Sequence, residues 1–310
     1  VYLGPRLRRL RRDLGLTQAN MASDLDISSS YVALLERNQR PLTADLLLRL
    51  ARTYRLDVAE LAGDDREELS ARIQSVLNDP LFWRSIGRGF VFVFLTVPPM
   101  LILAFFFASL VVSVSRRFAS LLKVSIYIPT IISGVITSII FVLIYDYSGG
   151  LLNWFLGRFG VEPIAWLGDP AWSLLAIAVP AIWLGMGLTS LIMVAAMVDI
   201  PTEYYEAAAM EGANWRQKTV FITLPQMKNI ILYLLITGFV AAIQQFELPL
   251  VMTQGGPLDS TTLPNLFIFN HFRNDINVGY SIAAALLLFV VLGTVSAVIF
   301  KFVNSERLVD

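Results

Sequence analysis

Five stretches of this chain, 90–114, 124–145, 172–198, 230–252 and 281–302, are apolar almost without interruption. Each is long enough to cross about 30 Å of hydrocarbon as a helix, which takes about 20 residues. Lipid offers no partner to a free backbone N–H or C=O, so uninterrupted apolar runs of this length are expected as helices. The predicted class is therefore all-α, with a polytopic membrane bundle. A hydrophobic content of 56% against 15% charged residues places the chain outside the range of ordinary soluble domains.

The cations orient the bundle. Arg116, Arg117 and Lys123 follow the first run, Arg216, Lys218 and Lys228 follow the third, and Lys301 and Arg307 close the chain. Positive charge marks the cytoplasmic side, so these three places are expected inside. Loops 146–171 and 253–279 hold only Arg158 and Arg273 as cations and are expected outside.

The first ninety residues are of another composition, with many arginines and no lysine. Residues 1–63 show short blocks of helical apolar spacing, broken near 14–17, 26–28 and 38–43, which predicts a soluble five-helix bundle. Thr17, Ser28 and Thr43 stand where helix N-caps are needed. Residues 64–88 read as a charged linker helix and pre-membrane segment, and 89–310 as the membrane domain. No charged-then-apolar leader follows Val1, and the lack of cysteine excludes disulfides and thiolate chemistry.

The second inward loop, 199–228, contains Glu206-Ala207-Ala208, three residues, Gly212, nine residues, and then Ile222-Thr223-Leu224-Pro225. Read physically, a short helix ends near Gly212, glycine permits the turn, and a second short helix is closed by Pro225. The pattern resembles the EAA loop of binding-protein-dependent ABC importer permeases. Tyr127-Ile128-Pro129, Gly150 with Asn153, Trp166 to Pro170 and Phe246 to Pro257 narrow that resemblance to the carbohydrate-uptake class, with the first span of the family missing.

The resemblance implies that the helix pair docks in a groove on a cytoplasmic ATPase subunit, with Glu206, Ala207, Ala208, Gly212, Leu224 and Pro225 as the coupling residues. It also implies a second permease subunit, an extracytoplasmic sugar-binding protein and a multi-pass place in a prokaryotic cytoplasmic membrane. ATP and Mg would belong to the ATPase, with no cofactor in this chain, which has no Gly-x-x-x-x-Gly-Lys-Ser/Thr loop. No catalytic or metal site is expected: the single histidine, His271, has no carboxylate cluster around it in sequence.

Gln244, Gln245 and Glu247 are polar groups in the outer part of an apolar run. Such groups are costly in lipid, so they are candidates for the sugar route. Hydrogen bonding between helices is the equal alternative. The Gly255-Gly256-Pro257 cluster has a plain reading as a tight exit turn.

Leu16-Thr17-Gln18, Ile27 to Tyr31, Leu35 to Pro41 and Leu46 to Leu50 resemble the Cro/C1-type, or XRE-family, helix-turn-helix domain. Asn20-Met21 and Asn38 depart from its usual pattern. The resemblance implies base contacts from Ser28, Ser29, Ser30 and Tyr31, and phosphate or base contacts from Gln18, Arg37 and Arg40. Packing or protein contact is the alternative use of the same pattern. An odd number of spans with an inside end puts residues 1–63 outside, where no DNA partner is available. Three readings follow: a permease with an appendage, a membrane-anchored regulator whose first domain is cytoplasmic, and a junction joining a regulator to a truncated permease.

Overall fold

A computed structural model describes residues 4–37, 39–40, 42–54, 69–274 and 278–304. The chain forms two compact units, 1–72 and 73–310, and the described residues contain helices and no strand. The second unit takes in residues 73–88, which the sequence assigns to a linker.

In the first unit, α1 (Gly4–Asp13), α2 (Gln18–Asp24), α3 (Ser29–Glu36) and α4 (Ala44–Tyr54) enclose Leu7, Met21, Leu25, Val32, Leu35 and Leu50. All three expected caps form: Thr17 Oγ1 accepts from Asn20 N, Ser28 Oγ from Tyr31 N, and Thr43 Oγ1 from Leu46 N. The expected fifth helix lies outside the described residues.

The helix α5, residues 69–77, runs across the division at 72–73 and is followed by α6 (Pro80–Ser113), which starts ten residues before the predicted span. Asp79 caps α6 by accepting from Leu81 N, and Pro80 fits at its first position. The remaining spans are α7 (Arg116–Ile131) with α8 (Gly134–Ile144), α10 (Pro170–Val198), α14 (Lys228–Ile243) with α15 (Glu247–Met252), and α17 (Val278–Asn304). Counting α7 and α8 as one, five spans among the described residues are long and apolar enough to cross a membrane.

Two of the five differ from the straight rods that the sequence predicts. Between α7 and α8 the axis bends by 95°. Ile132 and Ser133 take extended backbone there, and Ser133 restarts the helix as a cap on Val135 N. The fourth run breaks at 244–246 because the ring of Pro249 cannot coexist with a helical carbonyl at Gln245. In both runs apolar residues continue across the break, so periodicity carries no sign of it.

Two clusters fix the ends of the bundle. At one end the last turns of α6 and α10 and the first turns of α7 and α14 meet through Ala108, Val111, Met197, Ile200 and Met227. The cationic loops gather at this end. At the other end, Val76 of α5 packs with Phe82, Ile243, Phe267 and Ala284. There Tyr280 Oη donates to Asp79 Oδ2 at 2.6 Å, tying the start of α6 to the start of α17. The same end carries α9 (Leu151–Gly157) and α16 (Pro264–Asn274). Asn153 is the hub of its first loop, donating to three carbonyls and accepting from Ile164 N and Trp166 Nε1. His271 is stacked on Tyr280 with ring centroids 4.9 Å apart, a packing role.

Candidate functional site

The loop between α10 and α14 is built from short helices with explicit stops. α11 (Thr202–Met210) ends when Gly212 turns to φ +75°, a left-handed conformation that glycine adopts without steric cost. Gly212 N then donates to Ala209 O and Ala213 N to Ala208 O, the paired closure of a Schellman end. The spacing from Ala208 to Gly212 is thus a backbone requirement of the turn.

The second helix, α12 (Trp215–Lys218), opens with a capping box: Asn214 Oδ1 accepts from Gln217 N and Gln217 Oε1 accepts from Asn214 N. Pro225 does not close it, contrary to the sequence expectation. The chain widens into a π turn at Thr219–Thr223 and runs on through α13 (Leu224–Gln226). Leu224 N reaches back to Thr219 O, so the turn makes room for a proline ring that would collide with the carbonyl four residues earlier in an α-helix.

Tyr205 Oη and Thr223 Oγ1 share a hydrogen bond of 2.9 Å that joins the two arms, and Tyr205 and Ile222 pack on the end cluster of the bundle. The motif did not single out Tyr205, Asn214 or Gln217, although a Tyr opposite a Thr and an Asn-x-x-Gln cap were there to be noticed. The opposite face is open. Glu206, Ala207, Leu224 and Pro225 are exposed and Ala208 is half-buried. Around them Met210 is 85% and Phe221 75% exposed, with Tyr204 and Trp215 also open. An apolar rim of this kind on a loop between spans marks a contact surface.

The three polar candidates in the fourth span part company. Gln245 lines a cavity of about 130 Å³ walled by Thr96, Met100, Gly185 and Gly238 from α6, α10 and α14. Gln244 is exposed, and its carbonyl accepts from Asn265 Nδ2. Glu247 opens α15 and lies against Gly134, the first residue of α8.

In the first unit, Ser28, Ser29 and Ser30 are exposed at the start of α3, Tyr31 is half-buried, and Arg37 and Arg40 are exposed. Gln18 is turned inward, donating to Glu36 Oε2 at 2.7 Å. Glu36 is buried and also takes Arg11 as a partner, at 2.5 Å from Nε to Oε1. Burial alone would push its carboxyl up, but the hydrogen bonds from Arg11 and Gln18 and the charges of Arg11 and Arg8 hold it below the usual carboxylate value. Tyr54, half-buried and donating to Asp24, has its phenol pushed up to about 12 by that partial burial and by Asp24.

Residues 77–308 match the model of the binding-protein-dependent transport system inner membrane component family, and residues 3–63 match a helix-turn-helix domain model. The chain is 30% identical to the sulfoquinovosyl glycerol transport system permease protein of Agrobacterium fabrum, over 75% of each chain. It is 32% identical to the trehalose/maltose transport system permease protein of Thermococcus litoralis, over 67% of this chain and 70% of that one. Among solved structures, a bacterial ABC transporter involved in alginate import superposes with TM-score 0.66 at 24% identity, covering 77% of this chain and 84% of that one, and shares the fold.

Proposed function

We propose the following role for a chain that belongs to the family of binding-protein-dependent transport system inner membrane components. It is the permease subunit of an ATP-driven importer for a saccharide, and its loop 199–228 receives the stroke of a separate ATPase subunit. The observation that carries this reading is the loop itself, whose two arms are joined by Tyr205 and Thr223 on the face towards the bundle while the opposite face leaves Glu206, Ala207, Met210 and Phe221 exposed. A partner that moves this rim moves the inner ends of α6, α10 and α14 with it. The permease relatives named above act on saccharides, which supports that substrate class.

The remaining parts follow from the importer scheme. ATP and Mg sit on the partner ATPase, so this chain performs no hydrolysis of its own. A second permease subunit and an extracytoplasmic binding protein complete the machine, in the cytoplasmic membrane of a prokaryote. The sugar route runs past Gln245, whose cavity lies where three spans meet. With the cationic loops inside, Asp79 is outside. Residues 55–68 carry Asp57, Glu60, Asp64, Asp65, Glu67 and Glu68, too many charges to cross lipid. The helix-turn-helix unit is then extracytoplasmic, and its serines and arginines have no DNA to meet.

The test is reconstitution of the chain with co-purifying ATPase, permease and binding protein in vesicles. ATP-dependent uptake of a labelled oligosaccharide, lost in Glu206→Lys with membrane insertion intact, is the expected result. Full uptake by the Glu206→Lys complex would overturn the assignment of the loop.

A further inference from the structure

Gly134 poses a specific question. Its backbone is not in the left-handed region, so its φ does not demand glycine. Space does. A Cβ built on Gly134 would overlap Oε2 of Glu247 and stand 3.5 Å from its Cδ and 3.7 Å from its Cβ. The side chain of Glu247 is laid along the first residue of α8, in the room that the missing Cβ leaves.

The two residues sit at the two breaks of the bundle. Gly134 follows the 95° bend in the second span, and Glu247 follows the interruption at 244–246 in the fourth. α8 and α15, the outer halves beyond those breaks, pack on each other more extensively than on α10, whereas the inner halves find their main partners in α10 for α7 and α6 for α14. The N-terminal turn of α8 carries partial positive charge and favours a carboxylate. That turn is otherwise served by Ser133, which caps Val135 N, and by Ser138, which donates to Gly134 O.

We infer that Glu247 is a positioning residue that clamps α8 to α15, so that the two outer half-helices turn as one body about the two breaks when the importer changes state. The inference rests on the permease reading but adds to it a moving part and the contact that unites it. Glu247 is exposed, and the start of α8 gives its carboxylate a favourable neighbour other than sugar. It therefore assigns Glu247 to the mechanics of the gate and leaves Gln245 to the route.

The absence of native cysteine makes the test direct. Spin labels at Ser125→Cys and Leu143→Cys, exposed positions on α7 and α8, report the angle of the elbow in the full chain in lipid. The distance distribution is expected to be narrow in the parent, broad in Glu247→Ala and intermediate in Glu247→Gln. Gly134→Ala is expected to broaden it and to lose transport, because the new methyl displaces the carboxylate. In a Glu247→Ala background the same Gly134→Ala change is expected to add nothing. An elbow as narrow in Glu247→Ala as in the parent would overturn the clamp, as would a Gly134→Ala defect that persists undiminished without Glu247. Should Gly134→Ala fail to fold, the Glu247 variants decide alone. The distances are read without transport, so a clamp that holds in a complex that moves no sugar would separate failure of the permease reading from failure of this one.

Discussion

Replacing Gly212 isolates the geometry of the coupling loop from its chemistry. The residue sits at φ +75°, and a Cβ added there would meet nothing within 4 Å, so no substitution suffers a clash. What remains is the conformational cost of a left-handed L-residue, about 1–2 kcal/mol. Asparagine tolerates that region best, alanine less well, and a β-branched valine is a true outlier there. One to two kcal/mol corresponds to a factor of roughly 5–30 in an equilibrium. The affinity of the ATPase subunit for the permease in lipid nanodiscs should therefore fall in the order Gly, Asn, Ala, Val, with Gly212→Ala weaker by roughly fivefold and Gly212→Val by more. Equal affinity across the series would refute the argument that the turn sets the docking geometry. So would an Asn variant as weak as Val, because that result would point to a need for bare backbone at the interface.

Three further outcomes are expected. Gly187→Ala places a Cβ against Thr130 and the backbone of Ile126 and Tyr127, so it should destabilise the α7–α10 contact by about 1–3 kcal/mol, while Gly293→Ala meets nothing and should leave the melting temperature in detergent unchanged. Arg11→Met leaves the buried Glu36 without its nearest cation and should cost the first unit about 2–3 kcal/mol, read as faster hydrogen exchange in α3. Because the folded carboxyl of Glu36 titrates below its unfolded value, its contribution is present above the ordinary carboxylate range and is lost as pH falls through the lower folded value. Protection of α3 from exchange, taken relative to the intrinsic rate at each pH, that stays flat from neutral pH down through the acid range would contradict that sign.

Much of the architecture was legible because it follows from strong constraints. The spans could be read from length and apolarity, the three caps of the first unit from hydroxyls at block boundaries, and the turn at Gly212 from the residue itself. The breaks at 132–133 and 244–246 were not legible, since apolar residues run on through a bend in lipid as they do through a straight helix. Pro249 was the available hint, through its collision with the carbonyl of Gln245, whereas Pro225 suggested a stop that a π turn instead accommodates. The polar residues of the fourth span were found by type, but their separate places were not. Whether a glutamine faces a cavity or the outside depends on the rotation of a helix after a break, which no periodicity encodes.

The central claim is that loop 199–228 lies in the cytoplasm against an ATPase subunit, and one cysteine tests it in a chain that has none. Ala207→Cys, at an exposed position of α11, is treated with a membrane-impermeant thiol reagent in intact cells, in inside-out vesicles, and in vesicles stripped of the ATPase. The expected result is no labelling in intact cells, weak labelling in vesicles with the ATPase bound, and strong labelling once it is removed. Labelling in intact cells, or labelling indifferent to the ATPase, would contradict it.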